Sequence, residues 1–119
     1  MKREKITIEN GIVCIPQSVD IWMTQHELAD LFGCFVSKVN SNIRSIFKSG
    51  VLSEPNVCRT CHYQNGNFVE VYSLEVIIAL SFRIQSRNAE ILRKWLTREL
   101  TKPGISEMLI RYVQNSILN

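Results

Sequence analysis

The chain is predicted to have an α+β fold that is mainly α, and two kinds of pattern support this prediction. Asn10-Gly11 and Asn65-Gly66 each lie inside a stretch of alternating apolar and polar residues, which is typical of β-hairpins with tight turns. The remaining stretches place apolar residues three and four positions apart, the spacing of amphipathic helices. At 119 residues the chain is long enough for one hydrophobic core but not for two.

The first predicted element is an N-terminal β-hairpin in KITIENGIVCIP. Ile6 and Ile8 on its first arm, with Val13 and either Ile15 or Ile12 on its second arm, would form one apolar face, and Pro16 is expected to end the hairpin. The segment that follows leads into a helix, and we interpret Trp22 there as a core anchor.

The first helix has clear start and stop signals. Thr24 and Glu27 form a capping box, in which each side chain is expected to accept a hydrogen bond from the other residue's backbone N–H. Met23 and Leu28 are spaced for the hydrophobic staple that accompanies such a box. Gly33 supplies a left-handed backbone conformation at little cost, so the chain is expected to turn a tight corner there.

A second helix is predicted over residues 36–49, ending at Gly50, with an apolar and a polar side that point in opposite directions. No Asp or Glu occurs between Asp30 and Glu54, so the polar side carries only cations and short hydrogen-bonding side chains. Such a side suits an anionic surface with readable edges. Two helices joined by a tight corner form a helix-turn-helix. Such a unit is either a plain structural corner with a solvated polar side or a DNA-binding motif whose second helix enters the major groove.

The residues expected to contact DNA follow from this arrangement. Phe35 replaces the usual Ser or Thr cap of the second helix, and Val36 is either a contact to a thymine methyl group or a packing residue. We expect base edges or nearby phosphates to be approached by Ser37, Lys38, Asn40, Ser41 and Arg44, with Lys48 and Arg59 on the backbone.

A second hairpin, from Val57 to Tyr72, follows the second helix in the position of the wing of a winged helix-turn-helix. Arg59 and His62 on its arms would either contact DNA or merely cover the core. Cys58-Arg59-Thr60-Cys61-His62 matches the attachment motif of c-type haem, and its C-x-x-C could be half of a zinc site. Residues three apart on a strand point to opposite faces, so we expect neither group to bind and the four cysteines to be free thiols.

Helices are also predicted after the wing. Ser73 is placed to cap one helix, and a longer one runs from about Arg87 to Lys102. Its cations, Arg87, Arg93, Lys94 and Arg98, are either a solvated face or a second phosphate-facing patch. After Pro103-Gly104 a last amphipathic helix begins at Ser106 and could pack on a partner subunit. We therefore divide the chain into a DNA-binding domain, 1–103, and a possible dimerisation element, 104–119.

Composition excludes several classes of function. The net charge is only +3, so the argument for a nucleic-acid partner rests on where the cations lie. No stretch has the pattern of a signal peptide or a membrane span, so we expect a cytoplasmic protein. There is no glycine-rich phosphate loop, and His26 and His62 lack spaced ligand partners. We expect neither an enzyme nor a cofactor.

Several blocks of the chain resemble the N-terminal region of the virulence protein RhuM family: WMTQHELADLFG, IRSIFKSGVL, VCRTCHY and VEVYSLEVIIALSFRIQSR, in that order. The RKWLTREL segment is also similar to the end of the Bro-N domain of phage antirepressors. Both resemblances imply a bacterial protein related to phages or mobile elements, with a DNA-binding front end. Family members continue beyond the position of Asn119.

The leading hypothesis is a winged helix-turn-helix domain that binds double-stranded DNA in transcriptional regulation, as a homodimer. The alternative is a protein-interaction module of the antirepressor type, which would bind a repressor protein rather than DNA. A third interpretation, a thiol or metal sensor that uses Cys58 and Cys61, has the least support.

Overall fold

A computed structural model describes residues 4–17 and 20–102. These residues form an α+β fold with five helices and two small antiparallel sheets, as the fold class predicts. The predicted last helix and the 104–119 element lie outside the described residues. In chain order the elements are β1 (Thr7–Glu9), β2 (Ile12–Cys14), β3 (Trp22–Met23), α1 (Gln25–Phe32), α2 (Val36–Ser49), α3 (Glu54–Val57), β4 (Cys58–His62), β5 (Phe68–Ser73), α4 (Leu74–Ser81) and α5 (Arg87–Leu100).

The N-terminal hairpin is confirmed. β1 and β2 pair antiparallel, with Glu9 opposite Ile12, and the two turn residues have φ values of 52° for Asn10 and 76° for Gly11. Positive φ at both positions is the type I′ geometry that an Asn-Gly pair favours. Ile6 is buried, so the hairpin closes one side of the core.

The second sheet contains a strand that periodicity did not predict. β3 pairs with β5, which in turn pairs with β4, so the strand order is β3-β5-β4. Met23 of β3 is fully buried, whereas Trp22 is only half-buried and its ring lies beneath the guanidinium of Arg59. The interpretation of Trp22 as a core anchor is therefore wrong, and Met23 has that role. A strand of two residues is too short for an alternating pattern to be recognised.

The corner between α1 and α2 forms as predicted. Thr24 Oγ1 accepts a hydrogen bond from Glu27 N at 3.1 Å, and Glu27 Oε1 accepts one from Thr24 N at 2.9 Å, so the capping box is confirmed. Gly33 has a φ of 63°, and the N–H of Cys34 donates to the carbonyl of Ala29 at 3.1 Å. This left-handed glycine ends α1 and sets the direction of α2.

The segment between α2 and the second hairpin contains the short helix α3, which starts with Glu54 and Pro55. Proline suits the first turn of a helix because the N–H that it lacks would have no partner there. The second hairpin is confirmed, with Cys58 opposite Tyr72 and His62 opposite Phe68. Five residues, 63–67, connect its strands, and only Gly66 among them has positive φ.

Two C-terminal helices complete the described fold. Ser73 precedes α4 but makes no capping bond, so that prediction is wrong, and its buried hydroxyl has no partner among the described residues. The next helix, α5, does have a side-chain cap, because Ser86 Oγ accepts a hydrogen bond from Ala89 N at 3.1 Å. The core draws on both hairpins and all five described helices. Its fully buried residues include Met23, Leu28, Phe32, Val39, Ile46, Val76, Ile77, Leu80 and Ile84. None of the described helices combines the length and the apolar character that a membrane crossing requires.

Candidate nucleic-acid interface

The candidate interface is the outer side of α2. Val39, Ile43 and Ile46 are at most 3% exposed and attach the helix to the core. Because side chains repeat every 3.6 residues, the opposite side turns to solvent. The exposed residues of the predicted site on this helix are Ser37, Lys38, Ser41, Arg44 and Lys48.

The cations of this side are not neutralised by neighbouring carboxylates. Within residues 4–17 and 20–102, the ion pairs involve Arg59, Lys94 and Lys102, and none includes Lys38, Arg44 or Lys48. The outer side of α2 therefore presents positive charge that an external anion can reach.

Asn40 belongs to the flank of α2 and takes part in a chain of hydrogen bonds. Gln25 Nε2 of α1 donates to Asn40 Oδ1 at 3.4 Å and to the Tyr72 hydroxyl at 3.1 Å. The Tyr72 hydroxyl donates to Glu70 Oε2 at 3.0 Å, and the Tyr72 ring lies 6.4 Å from the ring of Phe47. This chain connects both helices of the corner to the second hairpin, so Asn40 has a structural role in addition to any contact with a ligand.

The same region contains two groups that stay protonated at neutral pH. Burial raises the pKa of the Tyr72 hydroxyl to about 12, and its hydrogen bond to Glu70 adds to that effect. Burial, with the nearby carboxylates of Glu70 and Glu54, raises the pKa of the Cys58 thiol to about 11. A thiol is reactive as its thiolate, so this geometry makes Cys58 a weak nucleophile.

Arg59 is separated from the rest of the predicted site. Cys58 lies opposite Tyr72 on the sheet face that contacts α2, and Arg59 is the next residue on the strand, so it points to the other face. There its guanidinium lies 4.0 Å from the centre of the Trp22 ring and 4.0 Å from Asp20 Oδ2. Its side chain is still 62% exposed, but it is not adjacent to the outer side of α2.

Some residues beside the candidate interface were not predicted from the sequence. By the same alternation, Thr60 and Phe68 lie on the face of the hairpin toward α2, beside His62, whose contact with DNA was one of the two predicted alternatives. On the opposite flank, Arg83 Nη1 donates to Ser45 Oγ of α2 at 3.3 Å and adds another cation. These neighbours are far from α2 in the chain, so no local spacing could have indicated them.

The cations of α5 do not form one patch. Arg93 Nη1 donates to the carbonyls of Ser81 at 2.5 Å and Ile84 at 3.2 Å, so this side chain holds the end of α4. Lys94 pairs with Glu90 at 3.0 Å on the exposed side of the helix. Of the four cations considered, Arg87 and Arg98 remain exposed without a described ion pair.

The described residues contain no group of three or more His, Cys, Asp or Glu that could hold a metal ion. Cys58 lies opposite Tyr72 and Cys61 opposite Val69, which places the two thiols on opposite faces of β4, and all four cysteines are free. Comparison with known protein families, with curated proteins and with solved structures finds no match.

Proposed function

We propose that this chain is a non-enzymatic DNA-binding domain of the winged helix-turn-helix type that acts in transcriptional regulation. In this proposal α1 and α2 are the helix-turn-helix, α2 lies in the major groove, and the β4-β5 hairpin is the wing. The observation that carries the proposal is the exposed outer side of α2, which has three cations and no carboxylate.

The dimensions of α2 support this function. Its 14 residues span about 21 Å, and the major groove of B-DNA, about 12 Å wide, accepts a helix. Arg44 and Lys38 carry donors for phosphate oxygens or guanine, and Ser37 and Ser41 can exchange hydrogen bonds with either bases or phosphates. Ser41 Oγ donates to the Lys38 carbonyl at 3.2 Å, which leaves its oxygen lone pairs able to accept a bond from a base amino group.

The position of the hairpin supports a wing. The hydrogen bonds from Gln25 to Asn40 and Tyr72 fix β5 against the corner, so the hairpin would be held beside the groove in which α2 lies. Thr60 and His62 are the exposed side chains of β4 that would face the phosphates. In this arrangement Arg59 supports Trp22 and would have to leave Asp20 to reach DNA.

The test compares two variants that remove the same charge. Replacing Lys38, Arg44 and Lys48 by Ala, or replacing Arg87, Lys94 and Arg98 of α5 by Ala, lowers the net charge from +3 to 0 in each case, by three cations. Binding to a mixed-sequence duplex is measured by fluorescence anisotropy from about 50 to about 200 mM salt. Each lost phosphate contact lowers the magnitude of the slope of log K against log salt by about 0.9. We therefore expect the slope of the α2 variant to be smaller in magnitude than that of the wild-type chain by up to about 2.7.

The α5 variant is expected to keep the wild-type slope, because its cations lie outside the proposed interface. Equal losses in both variants would mean that net charge alone attracts DNA. No association of the wild-type chain with DNA at low salt would exclude the proposal, since even non-specific DNA-binding proteins associate under those conditions.

A protein-interaction module remains the second candidate, and the tip of the hairpin favours it. Tyr63 and Phe68 are 48% and 66% exposed there, and the rings of Phe68 and His62 lie 6.1 Å apart. Exposed aromatic residues are enriched at protein interfaces. A repressor protein as partner, pairing of two copies through residues 104–119, and the relation to the RhuM and Bro-N families stay predictions.

A further inference from the structure

We propose that Phe35 reads a thymine by packing on its 5-methyl group, and this inference rests on the function proposed above. Phe35 directly precedes α2, and the N-terminal residues of a recognition helix are those that contact base edges. The sequence left open whether Val36 has this role, but Val36 is half-buried and packs against the core. The structure assigns the contact to the residue before it.

Phe35 has a fixed backbone and a free side chain. Its carbonyl accepts hydrogen bonds from Lys38 N at 3.0 Å and Val39 N at 3.3 Å, which anchors the residue to the first turn of α2. Its side chain is 83% exposed, the largest exposure among the large apolar residues of the described chain, and it is not part of the core. The ring is therefore presented at a defined place without contributing to packing.

Helix capping does not explain this residue. The cap position favours Ser, Thr, Asp or Asn, whose oxygen would accept a bond from the first turn, and Phe35 makes no such bond. A residue that contributes neither a cap nor core packing breaks a local folding rule, and such breaks are expected at functional positions.

The chemistry of the ligand follows from the chemistry of the groove. The thymine methyl is the apolar group that a base pair offers in the major groove, and phenylalanine is one of the side chains that contact it. The exposed hydroxyl of Ser37 and the exposed ammonium of Lys38 follow two and three positions after Phe35. This end of α2 therefore fits a thymine methyl group that lies beside a polar base edge and a phosphate.

The experiment selects binding sites from a randomised duplex DNA pool with the wild-type chain, with Phe35→Ser and with the control Ile12→Ser. Ser restores a preferred cap residue, so the first variant is expected to fold, and thermal unfolding monitored by circular dichroism verifies this. Ile12 is 65% exposed on the other sheet, so its replacement removes a similar exposed apolar side chain away from α2. The selected duplex is then rebuilt with deoxyuridine, which lacks the 5-methyl group, at each thymine in turn.

We expect one thymine at which deoxyuridine weakens wild-type and Ile12→Ser binding by roughly fourfold, the effect of about one buried methyl-sized group. Phe35→Ser should bind the two duplexes equally and lose the thymine preference at that position. If wild-type and Phe35→Ser select the same site and respond equally to deoxyuridine, or if the wild-type chain binds DNA without base preference, the role of Phe35 is refuted and DNA binding stands. If the wild-type chain binds no DNA, the proposed function fails together with this inference.

Discussion

Replacement of Arg93 by Met should destabilise the fold strongly. Cations on an amphipathic helix are usually solvated and contribute little to stability, but Arg93 contacts the neighbouring helix. Its guanidinium donates two hydrogen bonds, to the carbonyls of Ser81 and Ile84, and both of those residues are fully buried. A buried carbonyl that loses its donor costs about 1–3 kcal/mol. Methionine keeps most of the aliphatic stem, so the loss of packing is small. We expect the free energy of unfolding to fall by about 3 kcal/mol.

The matched control is Lys94→Met, one position further along α5. Lys94 is exposed and pairs with Glu90 at the surface, where solvent screens the interaction, so its replacement should leave stability nearly unchanged. Urea unfolding of both variants, followed by circular dichroism with a shared m-value, gives the comparison. If the two variants unfold at the same urea concentration, the contacts of Arg93 do not hold α4, and the guanidinium is free for another role.

Other predictions concern the corner between α1 and α2, the β4-β5 hairpin and the buried titrating groups. Gly33→Ala should cost about 1–2 kcal/mol of stability in urea unfolding, because φ is 63° there, while the new Cβ would meet the Asn88 amide at an ordinary 3.7 Å. Glu70→Gln should strengthen DNA binding in the anisotropy assay, since it removes a carboxylate from the hairpin face toward α2; unchanged or weaker binding would place that face away from DNA. Folding raises the pKa of Cys58 from 9.0 to about 11 and of Tyr72 from 10.0 to about 12. The contribution of these two protonated groups to the free energy of unfolding is therefore fully present below about pH 9, and it should be lost as pH rises toward 12. In thermal melts recorded from pH 8 to 12, Cys58→Ala should reduce the decrease in melting temperature at the lower end of this pH range. An unchanged dependence of the melting temperature on pH would contradict the raised pKa of Cys58.

The elements that the sequence predicted well are those with local causes. The capping box at Thr24, the turn at Asn10-Gly11 and the left-handed Gly33 each depend on residues within about four positions, and all three are present. The elements that it missed are very short or depend on residues that are distant in the chain. β3 is two residues long and exists because β5 pairs with it from about fifty positions away. Ser73 is also the strand residue opposite Trp22, and it begins α4 without a capping bond.

In the candidate interface, too, local features were predictable from the sequence and contacts with distant elements were not. Helical periodicity gives the angle at which each side chain leaves α2, and on that basis the exposed positions of Ser37, Ser41, Arg44 and Lys48 were predictable. Periodicity does not say which other element lies at a given angle. The position of Asn40 on the helix is on the polar side, like that of its neighbours. Gln25 lies next to it, so Asn40 becomes part of the hydrogen-bond chain to the β4-β5 hairpin.

This difference changes what mutations of the polar residues can show. Asn40 and Gln25 connect α2 to Tyr72, so their replacement would disturb the position of the β4-β5 hairpin as well as any base contact. A loss of DNA affinity would then not identify the cause. The side chains of Arg44 and Lys48 make no hydrogen bond or ion pair with another described residue, so their replacement removes an external contact without moving another element. Direct recognition and support of the hairpin differ in their salt dependence. If replacing Arg44 or Lys48 lowers both the DNA affinity and the slope of log K against log salt, while replacing Asn40 lowers the affinity alone, then Arg44 and Lys48 contact DNA and Asn40 positions the β4-β5 hairpin.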